Sequence, residues 1–124
     1  MLCPHKCGVN RFEETGFCAT PSQPVVSSIY LHKGEEPLLS GSKGVCNVFF
    51  AHCNLQCVYC QNHQISRNNI YNQSWIKSVN DVVDTIIPYL DEGIRMLGFV
   101  SPSHQVSQMV DIIDGLRHKG YAPT

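Results

Sequence analysis

Seven of the 124 residues are cysteines, and three of them, Cys53, Cys57 and Cys60, open directly out of an apolar run in VCNVFFAHCNLQCVYCQNHQIS, residues 45–66. Three residues separate the first pair and two the second, so three thiolates can converge on one small object. A structural zinc or an electron-carrying cluster takes four protein ligands. Three cysteines on a four-iron, four-sulfur cubane instead leave one iron without a protein partner, and that iron is where chemistry would happen. The expected metal set is therefore Cys53, Cys57 and Cys60 on a [4Fe-4S] cluster. A small electron carrier of the bacterial ferredoxin kind would add a fourth cysteine followed by proline, but Gln61 and Asn62 follow Cys60 here. The competing reading is a non-catalytic zinc- or iron-sulfur-binding module that draws on both cysteine groups of the chain.

The second group lies near the start: Cys3, Cys7 and Cys18, with His5, in a stretch broken by Pro4, Gly8 and Gly16. It is either a second metal site, zinc or iron-sulfur, with His5 or Cys46 as fourth ligand, or a set of small residues packing a loop-rich cap. An odd cysteine count, the lack of an export signal and the crowding of four cysteines between Cys46 and Cys60 favour a reduced, metal-binding, cytoplasmic protein over a disulfide framework. Oxygen sensitivity follows from thiolates on iron. A formal net charge of -1 leaves no basic surplus for a phosphate backbone, so nucleic acid is not an expected partner. No stretch approaches the 18 or more apolar residues of a membrane span.

The elements that must hold the cysteines are legible as alternating periods. Val25 to Leu31 reads as a strand from its β-branched and aromatic content, in a connecting region that ends in the loops Gly34-Glu35-Glu36-Pro37 and Ser40 to Gly44. Val45 to Phe50 reads as a buried strand whose C-terminal end delivers the cysteine loop, the end where ligands collect in parallel α/β sheets. Val79, Val82, Val83, Ile86, Ile87 and Leu90 recur at helical spacing, with Ser78 or Asn80 as cap and Gly93 as stop. Pro88 inside that pattern predicts a kink or an early break. Arg95 to Ser101 is a second short strand. Ser103 is placed to cap a helix with inner stripe Val106, Met109, Val110, Ile113 and Leu116, which Gly120 ends. Strand, helix, strand, helix in this order implies parallel pairing, and Tyr121 to Thr124 leads toward a third strand.

Cys53-x3-Cys57-x2-Cys60, with Tyr59 before the last cysteine, resembles the signature of radical S-adenosylmethionine enzymes. The flanks HKGEEPLLSG, FFAHCNLQCVYCQN and CPHKCGVNR are similar to the branch related to pyruvate formate-lyase activating enzyme. The resemblance implies an α/β fold: an incomplete (β/α) partial barrel of parallel strands over residues 45–124, apparently its first part, preceded by a loop-rich, cysteine-containing extension, residues 1–44. It implies S-adenosylmethionine on the open iron, reductive cleavage to a 5'-deoxyadenosyl radical that abstracts hydrogen, a glycyl-radical-type protein as substrate and a flavodoxin or ferredoxin as electron donor. Tyr59 would flank the adenine, with ordinary packing as its other role. Ser101, Ser103 and His104 stand where relatives carry a glycine-rich motif for the cofactor's amino group. Here VSPSH replaces it, so hydroxyls or backbone carbonyls would make that contact, and helix capping is the other role for His104. Glu35, Glu36 and Lys43 would lie near the active-site mouth. His52 and His63 flank the cluster without ligating it, and Cys46 departs from the small or hydroxyl residue the resemblance leads one to expect.

Overall fold

The structure, a computed structural model, describes residues 3–34, Leu38 and 41–124. Three strands, β1 (Val26–His32), β2 (Val45–Phe50) and β3 (Met96–Val100), form one sheet in that order. The helices that bear on the site are a single turn, α1 (His63–Ser66), and two long ones, α2 (Val79–Asp91) and α3 (Val106–His118).

Central β2 is buried along nearly its whole length, which is why its sequence is a continuous run rather than an alternation. It pairs in parallel with β3, Val45 opposite Met96 through Phe49 opposite Val100, with α2 in the connection between them. β1 instead runs antiparallel to β2, from His32 opposite Val45 to Val26 opposite Phe50. The sheet is therefore mixed rather than all parallel. The connection from β1 to β2, residues 33–44, is about the shortest length at which a parallel crossover becomes possible, and an antiparallel return does not need one.

Paired residues of adjacent strands share a face. Ile29, Leu31, Cys46, Val48, Leu97 and Phe99 therefore stand on the face that α2 and α3 cover, where they pack with Val82, Val83, Ile86, Ile112 and Leu116. The opposite face carries Tyr30, Asn47, Phe49 and Val100; Tyr30 stacks on Phe49 at 5.0 Å. Cys46 is fully buried in the core, and burial pushes its thiol up to about 11. It is an inert packing residue and cannot serve as a ligand shared with the N-terminal cysteines.

Helix α2 starts where the Ser78 hydroxyl accepts the Asp81 amide at 3.1 Å. It runs through Pro88 to Asp91, without the early break the proline predicts; only three helical residues follow Pro88, so stopping there would leave few carbonyls better served. Both long helices end alike. Gly93 (φ +89°) and Gly120 (φ +88°) adopt the left-handed conformation, and the residue after each donates back to the carbonyl five positions earlier, Ile94 to Tyr89 and Tyr121 to Leu116.

Helix α3 is rotated relative to its predicted stripe. Gln108, Ile112 and Leu116 face inward and Val110 is exposed, because two glutamines hydrogen-bond main chain. Gln105 bonds Val25 through both amide atoms, and Gln108 donates to the Ser22 carbonyl at 2.7 Å. Ser103 does not cap α3 as expected: it belongs to a 3-10 turn, Pro102–His104, and the position before Val106 is Gln105, with no side-chain cap. The last residue, Thr124, donates to Arg95 and accepts from Leu97, the exchange of a parallel bridge beside β3.

Candidate metal centre

Because β2 and β3 are parallel, their C-terminal ends lie together, and the segments that follow them meet. The chain leaves β2 at Ala51, fully buried and bonded through its amide to Val25. His52 then takes a left-handed conformation (φ +63°) with its amide on the Ile65 carbonyl and its Nε2 on the Ile70 carbonyl at 2.7 Å. This reversal swings Cys53, Cys57 and Cys60 out of the core; all three are free thiols at intermediate exposure.

Residues 66–68 clip the cysteine loop from beneath. The Gln56 amide donates to the Cys53 and Ser66 carbonyls at 3.0 and 2.6 Å, while its oxygen accepts the Asn68 amide. Arg67 reaches back with two nitrogens to the Gln56 and Cys57 carbonyls, at 3.2 and 3.1 Å. Asn68 Oδ1 accepts the Cys53 amide. Gln56 itself is left-handed (φ +54°), a conformation that costs energy for a residue with a side chain and persists where its surroundings over-determine it. In the sequence Gln56, Arg67 and Asn68 are marked only as polar residues spaced among and just after the cysteines.

The donors around the thiols suit a cluster. The Leu55 amide and the Ser66 hydroxyl point at the sulfurs of Cys53 and Cys60, each at 3.4 Å; hydrogen bonds to sulfur are a means by which a protein holds and tunes thiolate-bound iron. Among the described residues no three Cys, His, Asp or Glu side chains close on a single ion. A cubane takes each thiolate on a different iron and holds the sulfurs further apart than a single ion does. Half-exposed thiols on one pinned loop, two with donors, fit the cluster.

Across from the loop stands the 101–104 segment. Ser101 is left-handed (φ +56°), and the Ser103 hydroxyl donates to Asn54 Oδ1 at 2.7 Å, so Ser103 meets the cysteine loop directly. His104 is buried, and its Nε2 donates to the Ala51 carbonyl at 2.9 Å. Arg11 reaches its backbone carbonyl at 2.8 Å. Tyr59 projects into solvent, 86% exposed, in company with Leu55 and Val58. Lys43 is not near this end; it precedes β2, at the opposite end of the strands, with Nζ 3.5 Å from the Glu92 carbonyl. Glu35 and Glu36 lie outside the described residues.

Burial lowers the His104 pKa to about 4; the bond to Ala51 opposes this, and the positive charges of Arg11 and His52 reinforce it. Among the described residues its Nδ1 has no hydrogen-bond partner, and burial favours the neutral ring in the folded protein. The unfolded chain takes up that proton near the ordinary value of 6.5, so between pH 6.5 and 4 it binds more protons than the folded one, and stability falls as pH falls. A shift of this size is worth on the order of 3 kcal/mol. Denaturant unfolding measured across that window should show the decline, and a His104→Gln variant should lose less stability over the same range.

Residues 39–123 match the family described as 4Fe-4S single cluster domain, a domain found in radical-SAM-related proteins. An uncharacterized protein of Methanocaldococcus jannaschii is 45% identical over 66 residues, which make up 53% of this chain and 18% of that protein. The chain therefore spans 18% of the length of that curated relative. No solved structure matches the chain. No helix among the described residues is long and apolar enough to cross a membrane. The matched span takes in β2, the cysteine loop, β3 and both long helices, so the chain belongs to the 4Fe-4S single cluster domain family.

Proposed function

We propose that the chain is the cluster-bearing part of a radical S-adenosylmethionine enzyme similar to pyruvate formate-lyase activating enzyme, with its two parallel strands as the first units of a (β/α) partial barrel. The observation that carries this reading is a three-cysteine loop at the C-terminal end of β2, set against the Ser101 to His104 turn at the C-terminal end of β3. A cluster held by Cys53, Cys57 and Cys60 would supply one low-potential electron and an iron free of protein sulfur, the chemistry that cleaves S-adenosylmethionine reductively to methionine and a 5'-deoxyadenosyl radical.

The remaining work falls to the chain. Cys53, Cys57 and Cys60 bind three irons, and Gln56 and Arg67 hold their loop in register. Tyr59 offers an exposed aromatic face to the adenine. Ser103, already turned toward Asn54, and the strained Ser101 backbone offer polar atoms to the cofactor's amino group. His104 braces the turn from behind through Ala51 rather than touching the cofactor. The sheet face bearing Tyr30 and Phe49 lies on the side away from α2 and α3 and suits a substrate segment; a glycine of a partner protein is the proposed hydrogen donor, and a flavodoxin or ferredoxin the electron source.

Anaerobic reconstitution with iron and sulfide, then reduction in the presence of S-adenosylmethionine, tests this. The expected products are 5'-deoxyadenosine and methionine, absent from a Cys60→Ala variant. A chain fully loaded with cluster that forms neither product is a non-catalytic iron-sulfur module.

A further inference from the structure

The N-terminal cysteines take no part in the cluster loop, yet they share a cavity of their own. It measures about 260 Å³ and is bordered by Cys3, His5, Cys7, Arg11, Phe17 and Cys18. All three thiols are free. Each sulfur has one N–H aimed at it: Asn54 Nδ2 on Cys3 at 3.6 Å, the Phe17 amide on Cys7 at 3.4 Å and Arg11 Nη2 on Cys18 at 3.5 Å. Such donors support sulfur that carries charge on a metal. His5 stacks on Phe17 at 3.9 Å and donates Nε2–H to the Asn54 carbonyl at 2.6 Å. A bond of that kind fixes the tautomer and leaves Nδ1 with its lone pair, the usual setting of a metal-bound histidine.

The backbone points the same way. Residues 3–22 contain no strand or helix and bury little beyond Cys18 and Thr20, while Phe12 is 86% exposed. Apolar packing therefore cannot be what fixes this segment. It is nonetheless held in costly conformations: Lys6 and Ala19 are left-handed, at φ +50° and +52°. Gly16 lies so close to Cys7 that a Cβ there would stand 2.9 Å from the cysteine's own. A short loop-rich segment of this kind is commonly held by a metal.

We propose that Cys3, Cys7, Cys18 and His5 bind a structural zinc ion, a closed Cys3His site separate from the cluster. Three thiolates and one imidazole are a complete tetrahedral zinc set; Arg11 and Lys6, both on the cavity, offset the negative charge of three thiolates. Cys46, the other fourth ligand that the sequence admits, is sealed in the core on β2. The four heads ring the cavity without yet closing on a point, since no three ligating side chains among the described residues reach one ion. Binding therefore draws the turn at Cys3 to Cys7 onto the turn at Gly16 to Cys18. Through His5 and Cys3, both bonded to Asn54, the zinc staples this segment to the cysteine loop.

The test uses the full chain with Cys53, Cys57 and Cys60 all changed to serine, which removes the cluster site, loaded with Zn²⁺ and passed over a weak chelator. About one zinc should remain per chain, with X-ray absorption showing three sulfurs at about 2.3 Å and one nitrogen at about 2.0–2.1 Å. Adding Cys7→Ser or Cys18→Ser should abolish retention, and adding His5→Ala should remove the nitrogen and weaken binding at least tenfold. A second measurement needs no variant: in the zinc-loaded natural chain Cys3, Cys7 and Cys18 should resist alkylation together and react together after a strong chelator. Absence of retained zinc, a first shell of four sulfurs, or alkylation of Cys7 unaffected by zinc would each overturn the proposal.

Discussion

A Cys57→Ser variant reconstituted without oxygen should come away nearly free of iron and sulfide, and without the visible absorption of a cluster. On the proposed ligand set the cubane has three protein ligands, so losing one leaves two irons without protein sulfur. Of the other cysteines, Cys46 is walled into the core and its thiol is pushed up to about 11 by burial, while Cys3, Cys7 and Cys18 are engaged with Asn54, Phe17, Arg11 and Thr20. Removing an outer partner typically costs roughly 10–100-fold in metal affinity, and removing a direct ligand should exceed that. Arg67→Met supplies the comparison. It deletes both bonds to the Gln56 and Cys57 carbonyls, leaves the thiols in place, and should yield a chain that takes up cluster but loses it to a chelator about 10–100-fold faster. Iron and sulfide analysis of the two variants beside the unaltered chain checks both expectations.

Phe50→Ala should be the most damaging single change to the fold, at about 3–5 kcal/mol. The ring is 1% exposed and stacks against Phe99 of β3 at 6.0 Å. It is the last residue of β2, paired with Val26 of β1, so it joins all three strands at the end from which the cysteine loop departs. Against a total of about 5–15 kcal/mol for an ordinary domain, such a loss populates unfolded chain at room temperature and slackens the support of Ala51 and His52. Val110→Ala on the exposed side of α3 should stay within about 0.5 kcal/mol. Urea unfolding of the metal-free, reduced chains, followed by circular dichroism, separates the two.

Where the sequence carried a local signal, the elements came out where that signal put them. Val45–Phe50 matches its strand residue for residue, since six consecutive residues suited to burial between turn-forming glycine and cysteine loops admit little else. Ser78, Gly93 and Gly120 act as cap and stops because capping is decided within one turn of the chain. Sequence pattern failed where a distant partner decided the outcome. Gln105 and Gln108 lie outside the apolar stripe of the helix, yet both are buried, because the Val25 and Ser22 main chain 80 and 86 residues away needs their amides. That demand turns α3 and exposes Val110. Ser103 looked like a helix cap from its neighbours, but its hydroxyl is taken by Asn54, 49 residues earlier. Lys43 was assigned to the active-site end by resemblance, and its place before β2 puts it a strand's length away.

The cysteine loop shows the same division. Spacing alone groups its three cysteines, whereas the clip formed by Gln56, Arg67 and Asn68 emerges only when residues 53–57 and 66–68 are brought together. The antiparallel β1 likewise follows from chain geometry rather than composition, and it closes one edge of the sheet beside the two parallel strands.

Electron paramagnetic resonance of the reduced, reconstituted chain, recorded with and without S-adenosylmethionine, addresses the open iron most directly. The account predicts that adding the cofactor shifts the spectrum, and that a nitrogen-15 label on its amino group produces a hyperfine coupling to the cluster. A fully loaded cluster whose spectrum is indifferent to S-adenosylmethionine would contradict it.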